Sequence, residues 1–541
     1  MTKYIFVTGG VVSSLGKGIA SSSLGKLLES RGLKVTVMKC DPYLNVDPGT
    51  MNPYQHGEVY VTQDGAETDL DLGHYERFLT TPINHANSVT AGKIYHSVIS
   101  KERHGEYLGA TVQVIPHITD EIKRSLRAVV KNKDYDVVIC EIGGTVGDIE
   151  SLPFLEAIRQ FRRDIGRENA INIHVTLVPY IHTASELKTK PTQHSVGKLR
   201  EIGIETDIVL CRSEKPLSRE LRAKIALFCN IYPEQVIQCL DVDDIYKVPL
   251  LLQEEGLDSL AIKMLGITDA ADSNLEHWKK NVIYKLHHPK HRVKIAVAGK
   301  YTELQDAYKS IYEALKHGGI ANDCSVQIVK IDSESLTHSV QELKAHAVDG
   351  ILIPGGFGDR GVEGKLNAVR YAREHNIPFF GICLGMQCAV IEFARHVCGL
   401  SRANSTEFEK KTPYPIISML AEQRKIKDLG GTMRLGSYPC KIKKGTRCHG
   451  LYGKNSVSER HRHRYEFNNR YKEKLQKGGL VVAGTSPNGK LVEMIELKSH
   501  PWFVGCQFHP EFQSKPDYPH PLFAGFVRAS IEYQAHARES A

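Results

Sequence analysis

Lys3-Tyr4-Ile5-Phe6-Val7-Thr8-Gly9-Gly10-Val11-Val12-Ser13-Ser14-Leu15-Gly16-Lys17-Gly18-Ile19 opens the chain with a β-branched and aromatic run, a glycine-rich turn and, from Ala20-Ser21-Ser22-Ser23, a small-residue helix start. Strand, glycine loop and helix in this order make a phosphate cradle. The glycines let backbone N–H groups wrap a polyphosphate, the helix N-terminus adds a favourable dipole, and Lys17 supplies charge. The motif departs from the strict P-loop pattern. Five residues separate Gly10 from Gly16, and Gly18 stands where a Ser or Thr hydroxyl would ligate a metal. A plain glycine turn is the competing reading of this stretch alone.

Outward from there, short β-branched runs alternate with longer amphipathic stretches, the pattern of βαβ units and a parallel sheet. Strands are expected at 4–8, 34–39, 136–141, 173–178 and 207–211. The alternation weakens over 267–292, where an Asp/Ala/Ser/Asn run precedes a lone amphipathic helix and the basic stretch Lys285-Leu286-His287-His288-Pro289-Lys290-His291-Arg292. A second series follows, with strands expected at 294–298, 327–331, 350–353 and 379–382 and a helix at 306–316. The reading is an α/β protein of two tandem domains, 1–266 and 293–541, joined by a linker at 267–292. Each domain is expected to be a mainly parallel sheet flanked by helices.

Composition fits that class. The 541 residues are 41% apolar, 24% charged and 8% aromatic, close to an average folded chain, so disordered and fibrous classes are excluded. Lys plus Arg (70) exceeds Asp plus Glu (62) by only 8, too thin an excess for a nucleic-acid binder, though local clusters can hold small phosphorylated ligands. No apolar run approaches the ~18 residues that span a bilayer, and the N-terminus lacks the pattern of a signal peptide. The 12 cysteines form no Cys-x-x-Cys pair, which suits reduced thiols and a cytoplasmic location. Neither a nucleic-acid nor a membrane partner is expected.

Further polar residues cluster where a parallel sheet gathers ligands. Lys39 ends the second expected strand and could neutralise the same polyphosphate, since ligands lie at carboxyl ends of strands in open α/β sheets. Glu67, Asp69, Asp71 and Glu76 fall within ten residues, and the strand at 136–141 delivers Glu141 in front of Gly143-Gly144. One acid from each segment suffices for Mg²⁺, which prefers one or two carboxylates plus phosphate oxygens and water. The competing reading, helix caps or solvated acids, weighs less on Glu141 than on the others. Lys188-Thr189-Lys190-Pro191-Thr192-Gln193 offers cations, hydroxyls and an amide to a triphosphate and a polar base; a solvated loop is its bland alternative.

The second half carries a nucleophile pattern. Gly381-Ile382-Cys383-Leu384-Gly385-Met386-Gln387 follows a strand and opens a helix running to about 396, with cysteine in the serine position of a nucleophile elbow. The flanking glycines permit the sharp turn, and the helix dipole favours the thiolate. Downstream, a strand expected at 502–508 ends in His509-Pro510-Glu511. Residues two apart in an extended segment face the same way, so Glu511 can orient the imidazole that deprotonates Cys383. Pro354-Gly355-Gly356-Phe357-Gly358 follows a third strand and offers an N–H to join that of Leu384 in an oxyanion hole.

These residues resemble known families. The cysteine elbow and Phe508-His509-Pro510-Glu511 resemble the class I glutamine amidotransferase family, and nearly the whole chain is similar to the cytidine triphosphate (CTP) synthase family. The likeness is carried by 6–14 with Gly16-Lys17-Gly18, and by 64–77, 142–159, 188–195, 307–318, 355–364, 402–408, 429–436 and 459–466. It implies that 1–266 is an amidoligase domain binding ATP, UTP and CTP, and 293–541 a glutaminase. ATP would phosphorylate O4 of UTP and ammonia would displace the phosphate at C4. Cys383, with His509 and Glu511, would release that ammonia from glutamine through a glutamyl thioester.

Carried over position by position, the resemblance places ATP on Ser14, Leu15, Gly16, Lys17, Gly18 and Ile19, with Lys39 as a phosphate neutraliser. Leu240, Asp241 and Val242 would lie against the adenine, and Asp71 and Glu141 would hold Mg²⁺. UTP and CTP fall on Ser13, Lys188, Thr189, Lys190, Pro191, Thr192, Gln193 and Lys224, with Asp148, Ile149 and Glu150 reading CTP. Glutamine falls on Gly356, Leu384, Gly385, Met386, Gln387, Glu407 and Arg464. The family further implies GTP as activator of the glutaminase, CTP as feedback inhibitor and a homotetramer, with filament assembly left open. One departure is a connection between 413 and 429 shorter than the family pattern, beside the expected GTP lid. Two other readings stand beside this one: a glutamine-dependent P-loop ligase of the cobyric-acid synthetase kind, and a non-catalytic nucleotide-sensing filament scaffold.

Overall fold

In the computed structural model, which describes residues 1–131, 133–419 and 433–539, the chain gathers into two compact units, Met1–Pro48 with Asp71–Lys279 and Gly49–Leu70 with Lys280–Ala541. This division differs from the expected one in two places. Residues 49–70 belong to the second unit, where the Tyr60 hydroxyl donates to the Phe512 carbonyl at 2.8 Å and Arg462 pairs with Glu67 at 2.8 Å. The expected linker is split at Lys279, because buried Trp278 packs on Phe78 and donates to the Tyr246 carbonyl at 2.8 Å, both within the first unit. Short segments without a regular apolar repeat do not reveal which core they join.

Seven strands of the first unit form one sheet: β1 (Lys3–Gly9), β2 (Val35–Asp41), β3 (Ser88–Thr90), β4 (Val137–Ile142), β5 (Ala170–Leu177), β6 (Ile208–Ser213) and β7 (Val236–Leu240). Their order is β7-β6-β5-β1-β4-β2-β3, and every pairing is parallel. All seven residues of β2 and all six of β4 are buried, as expected for strands covered on both faces. The covering helices include α1 (Lys17–Ser30), α2 (Asp71–Phe78), α3 (Leu152–Ile165) and α4 (Lys190–Glu201). The register sets Val7 and Lys39 on either side of Glu141, so the ends of three strands present their side chains together.

In the second unit, nine strands form a mixed sheet. They are β8 (His291–Gly299), β9 (Cys324–Asp332), β10 (Gly350–Ile353), β11 (Phe379–Ile382), β12 (Arg434–Ile442), β13 (Ser456–His463), β14 (Leu480–Thr485), β15 (Val492–Leu497) and β16 (Phe503–Cys506). The order is β9-β8-β10-β11-β16-β15-β14-β12-β13. The first five are mutually parallel, as the alternation predicts. The rest pair antiparallel, an extension that strands as polar as β13, Ser-Val-Ser-Glu-Arg-His-Arg-His, do not announce by composition. Helices α5 (Lys309–Ala321), α6 (Val362–Glu374), α7 (Leu384–His396) and α8 (Pro521–Glu539) flank the sheet. Strand alternation divides β11 between two cores: Phe379 faces the one holding Leu384 and Met386, while Phe380 and Ile382 face the one holding Phe523 and Phe526. No described helix is long and apolar enough to cross a membrane.

Candidate active sites

β11 ends directly in Cys383, which precedes α7 with φ +51° and ψ −103°, a conformation strained for any residue with a side chain. The surrounding glycines make the turn feasible. A Cβ on Gly385 would lie 2.1 Å from the Ile353 carbonyl oxygen, and one on Gly381 2.7 Å from the Gly385 backbone. The Cys383 N–H donates to the Cys506 carbonyl at 2.7 Å, pinning the elbow to β16. Its sulfur is buried, with the Gln507 amide at 3.6 Å and the Arg462 carbonyl at 3.9 Å.

His509 and Glu511 meet as expected, Nδ1 to Oε1 at 2.7 Å, but by a different route. β16 stops at Cys506, and Pro510–Gln513 is a 3₁₀ turn, so the two side chains are joined across a turn rather than by strand alternation. Burial alone would lower the His509 pKa; the Glu511 carboxylate and then the Cys383 sulfur outweigh it and push the imidazolium up to about 10. Nε2 of His509 has no partner of ordinary hydrogen-bond geometry among the described residues, leaving that edge to the thiol.

The glycine loop lies against both groups: a Cβ on Gly355 would be 2.7 Å from His509 Cε1 and 3.6 Å from Cys383 Cβ. Gly356 is beside Leu384: a Cβ on Gly356 would lie 3.6 Å from Leu384 Cδ2. A cavity of about 410 Å³ opens here, lined by Gly355, Gly356, Arg462, Arg464 and His509 among others. Glu407 accepts the Gly358 N–H at 2.7 Å; burial raises its pKa against the opposing pull of that N–H, Lys300 and Arg464. Buried Gln387 donates to the Tyr465 carbonyl at 3.1 Å and to Gln507 at 3.3 Å. The Met386 side chain lies in the core against Gly505, so only its backbone is available to a ligand.

In the first unit the leading turn is wound as a cradle. Val11, Ser14 and Gly16 have φ of +80°, +55° and +92°, and Gly16 precedes α1 with no side chain capping the free N–H groups of the helix. Lys17 folds back over Gly9 and donates to the Gly144 carbonyl at 2.8 Å. Burial lowers its pKa, chiefly opposed by Glu141. Lys39, itself buried, bonds to Asp71 and to Glu141, the latter at 2.7 Å, with Asp41 at 3.8 Å. A Cβ on Gly18 would lie 2.7 Å from Asp71 Oδ1 and 3.4 Å from Glu141 Oε2, so only glycine leaves both carboxylates free to reach the helix start. A cavity of about 240 Å³ beside the turn is lined by Val12, Ser14, Leu15, Arg212 and Asp241 among others.

Comparison with known proteins decides between the readings. A family model described as CTP synthase N-terminus matches residues 3–267, and one described as glutamine amidotransferase class-I matches 303–529. A CTP synthase of Moorella thermoacetica is 61% identical over 528 residues, 98% of each chain. One of Carboxydothermus hydrogenoformans is 60% identical over 532 residues, 98% of this chain and 99% of its own, and one of Syntrophus aciditrophicus 58% identical over 538, 99% of each. The chain belongs to the CTP synthase family.

Against the positions carried over from that CTP synthase likeness, Ser14, Leu15 and Asp241 share the smaller cavity, while Leu240 ends β7 beside it and Val242 follows. Lys188 pairs with Glu186, whose carboxylate also feels Lys224. Lys190 lies 5.9 Å from the Phe228 ring, buried Thr192 bonds to the Leu177 carbonyl at 3.3 Å, and Gln193 to Thr189 at 3.1 Å. Ser13, Asp148, Ile149 and Glu150 are exposed. No hydrogen bond or ion pair among the described residues joins 148–150 to 188–193. The 413–429 connection falls largely outside the described residues, which resume at Met433. Three contributors went unread in the sequence: Gln507 at the sulfur, Tyr75 donating to Glu141, and His174, which bonds to Thr8 at 2.9 Å and to Ser195 at 2.7 Å. Burial and then Lys17 push His174 down to about 3, so it joins β1 to α4 as a neutral ring. The alternating polar residues Asn172, His174 and Thr176 in an otherwise apolar strand were the signal for it.

Proposed function

We propose that this chain forms CTP from UTP, using ATP and ammonia that its second unit releases from glutamine. The observation that carries the reading is the Cys383, His509 and Glu511 arrangement beside a glycine-loop cavity, in a chain whose other unit has a phosphate cradle. Cys383 attacks the side-chain amide carbon of glutamine, and the negative oxygen is met by the N–H groups of Leu384 and Gly356. His509, held through Nδ1 by Glu511, gives a proton to the departing ammonia and then takes one from the water that cleaves the thioester. Glu407, bonded to the glycine loop at Gly358, and cavity-lining Arg464 suit the ammonium and carboxylate of the amino-acid end, and Gln387 supports the elbow from below.

In the first unit, Ser14, Leu15, Gly16, Gly18 and Ile19 wrap the ATP phosphates with backbone N–H groups, and Lys17 exchanges the Gly144 carbonyl for a phosphate oxygen. Lys39 neutralises further charge, and Leu240, Asp241 and Val242 flank the adenine. Asp71 and Glu141 fit a hard divalent cation: two carboxylates already held to one ammonium, with phosphate and water to complete the set. Mg²⁺ bound there would offset charge on the transferred phosphoryl group. Ser13, Lys188, Thr189, Lys190, Pro191, Thr192, Gln193 and Lys224 bind UTP, with Asp148, Ile149 and Glu150 reading CTP as inhibitor. GTP activates the glutaminase. Exposed Ile149, Leu227 and Phe228, apolar and close in sequence to those segments, support nucleotide sites completed in a homotetramer. The enzyme works in the cytoplasm.

Cys383→Ala tests the division of labour. CTP formation from glutamine is abolished and formation from ammonium salts is retained; equal loss with both nitrogen donors refutes it.

A further inference from the structure

We infer that Lys300 is a positioning residue for glutamine hydrolysis: its ammonium clamps the glycine loop so that the Gly356 N–H stays aimed at the oxygen that becomes negative on Cys383 attack. The inference rests on the glutaminase reading above and goes beyond it.

The loop needs such a clamp. Gly355, Gly356 and Gly358 lack side chains, Phe357 is 42% exposed, and Gly358 holds φ +76°. A glycine-rich segment has many accessible peptide orientations, and an oxyanion donor works only in one. On its inner side the loop rests against His509 and Cys383. On its outer side it has two anchors, Glu407 accepting the Gly358 N–H at 2.7 Å and Lys300 donating to the carbonyls of both Phe357 and Gly358, the second at 2.9 Å. Consecutive carbonyls turned to one ammonium fix the 357–358 and 358–359 peptide planes, two and three peptides beyond the one that carries the Gly356 N–H.

Lys300 is itself held. It follows β8, is 5% exposed, receives its direction from its own N–H donating to the Tyr308 hydroxyl at 3.0 Å, and has its carbonyl bonded by Arg360 at 3.0 Å. Burying an ammonium without a paired carboxylate at bonding distance is unfavourable, and burial does lower its pKa, with the Glu407 carboxylate opposing. An apolar residue would fill the space at less expense, but could not hold carbonyls.

The test measures glutamate release from glutamine directly, in wild type, Lys300→Met and Lys300→Arg. The expected result is a kcat lowered about 10- to 100-fold in Lys300→Met, with KM for glutamine changed less than about threefold and Lys300→Arg partly restored, less than the ~10²–10³-fold cost of removing an oxyanion donor because the N–H is misdirected rather than deleted. Glutamate γ-semialdehyde, whose carbonyl carbon adds the Cys383 sulfur while its oxygen takes up the charge, loses affinity by the same factor as kcat/KM. The pH profile of iodoacetamide alkylation at Cys383, followed on the isolated peptide, stays unchanged, which a merely structural defect would not allow. Should Lys300→Met not fold, Lys300→Leu, equally unable to donate, is measured in its place. Wild-type kcat in the neutral variants, or a fall in kcat matched by a shifted alkylation profile, overturns the inference. A wild-type chain that releases no glutamate overturns the functional reading, and this inference with it.

Discussion

Glu511→Gln separates charge from orientation at the glutaminase site. Glu511 accepts the Nδ1 proton of His509 at 2.7 Å, and both side chains are nearly excluded from water. A glutamine oxygen can accept the same proton, so the tautomer and ring position are kept while the negative charge is lost. A hydrogen bond to a charged group contributes about 1.5–3 kcal/mol to the state it favours. Divided by ~1.36 kcal/mol per decade, this predicts roughly a 10- to 160-fold fall in kcat/KM for glutamate release. It also predicts that the imidazolium gives up its proton about 1–2 pH units lower than the wild-type value. The sign follows from the raised pKa. His509 at about 10 in the fold, above its ordinary 6.5, contributes stability that is complete below pH ~6.5 and lost as the pH rises through about 10. The variant loses that contribution at a lower pH. The assay is glutamate release together with the pH dependence of Cys383 alkylation, with ammonia-dependent CTP formation as control. Unchanged kcat/KM and an unmoved alkylation profile would refute the reasoning.

Gly385→Ala drives a Cβ to within 2.1 Å of the Ile353 carbonyl, so it is expected to lower stability by roughly 1–3 kcal/mol and displace the elbow, read as a lower melting temperature and lost glutamate release. Lys17→Ala removes the cation of the cradle and should reduce CTP formation from ammonia and from glutamine alike, about 100-fold or more, with glutamate release measured beside it; retained synthesis counts against the cradle. Lys39→Met leaves Asp71, Glu141 and Asp41 facing one another and should destabilise the chain by roughly 3–5 kcal/mol at neutral pH, checked by chemical denaturation. For Asp71, burial raises the pKa but Lys39 overrides it and holds the carboxyl below its ordinary value. That stabilisation is therefore present above about pH 3.9 and fades as the pH falls; in Lys39→Met this acid-side loss should be absent.

What was legible in the sequence is what backbone sterics dictate. Gly381 and Gly385 stand where any Cβ meets main-chain atoms, and Gly18 where a Cβ meets Asp71, so the motifs around Cys383 and Lys17 state their geometry directly. The inner strands of the parallel sheets were legible too, because burial on both faces demands continuous apolar runs, whereas the edge strands β3 and β7 of the first sheet were not read. The antiparallel half of the second sheet was not. His461 and His463 lie buried in β13, yet their polar neighbours give that strand the composition of a surface loop. Nor was the placing of 49–70, which depends on Tyr60 and Glu67 meeting Phe512 and Arg462 some 400 positions away (452 and 395 residues). Gln507 and Lys300 were missed for the same reason: a single polar residue after a strand gains its role only from what another strand end brings to it.

The charges gathered at the cradle bear on how a nucleotide enters it. Lys17 and Lys39 supply two positive charges, and Asp41, Asp71 and Glu141 three negative ones, so this group of five sums to minus one. A polyphosphate brought there alone would meet net repulsion inside a buried site, where charges are poorly screened. Lys39 cannot relieve it by turning to the phosphates, since that strands Asp71 and Glu141 without a counter-charge. A divalent cation held by Asp71 and Glu141 would supply the missing positive charge and leave Lys39 available to phosphate. Cation and polyphosphate binding are then linked, each tightening the other by the same factor. On the proposed reading of the cradle, it is the Lys39 clamp rather than the glycine turn that would couple cation binding to nucleotide binding, and in Lys39→Met that mutual tightening should shrink.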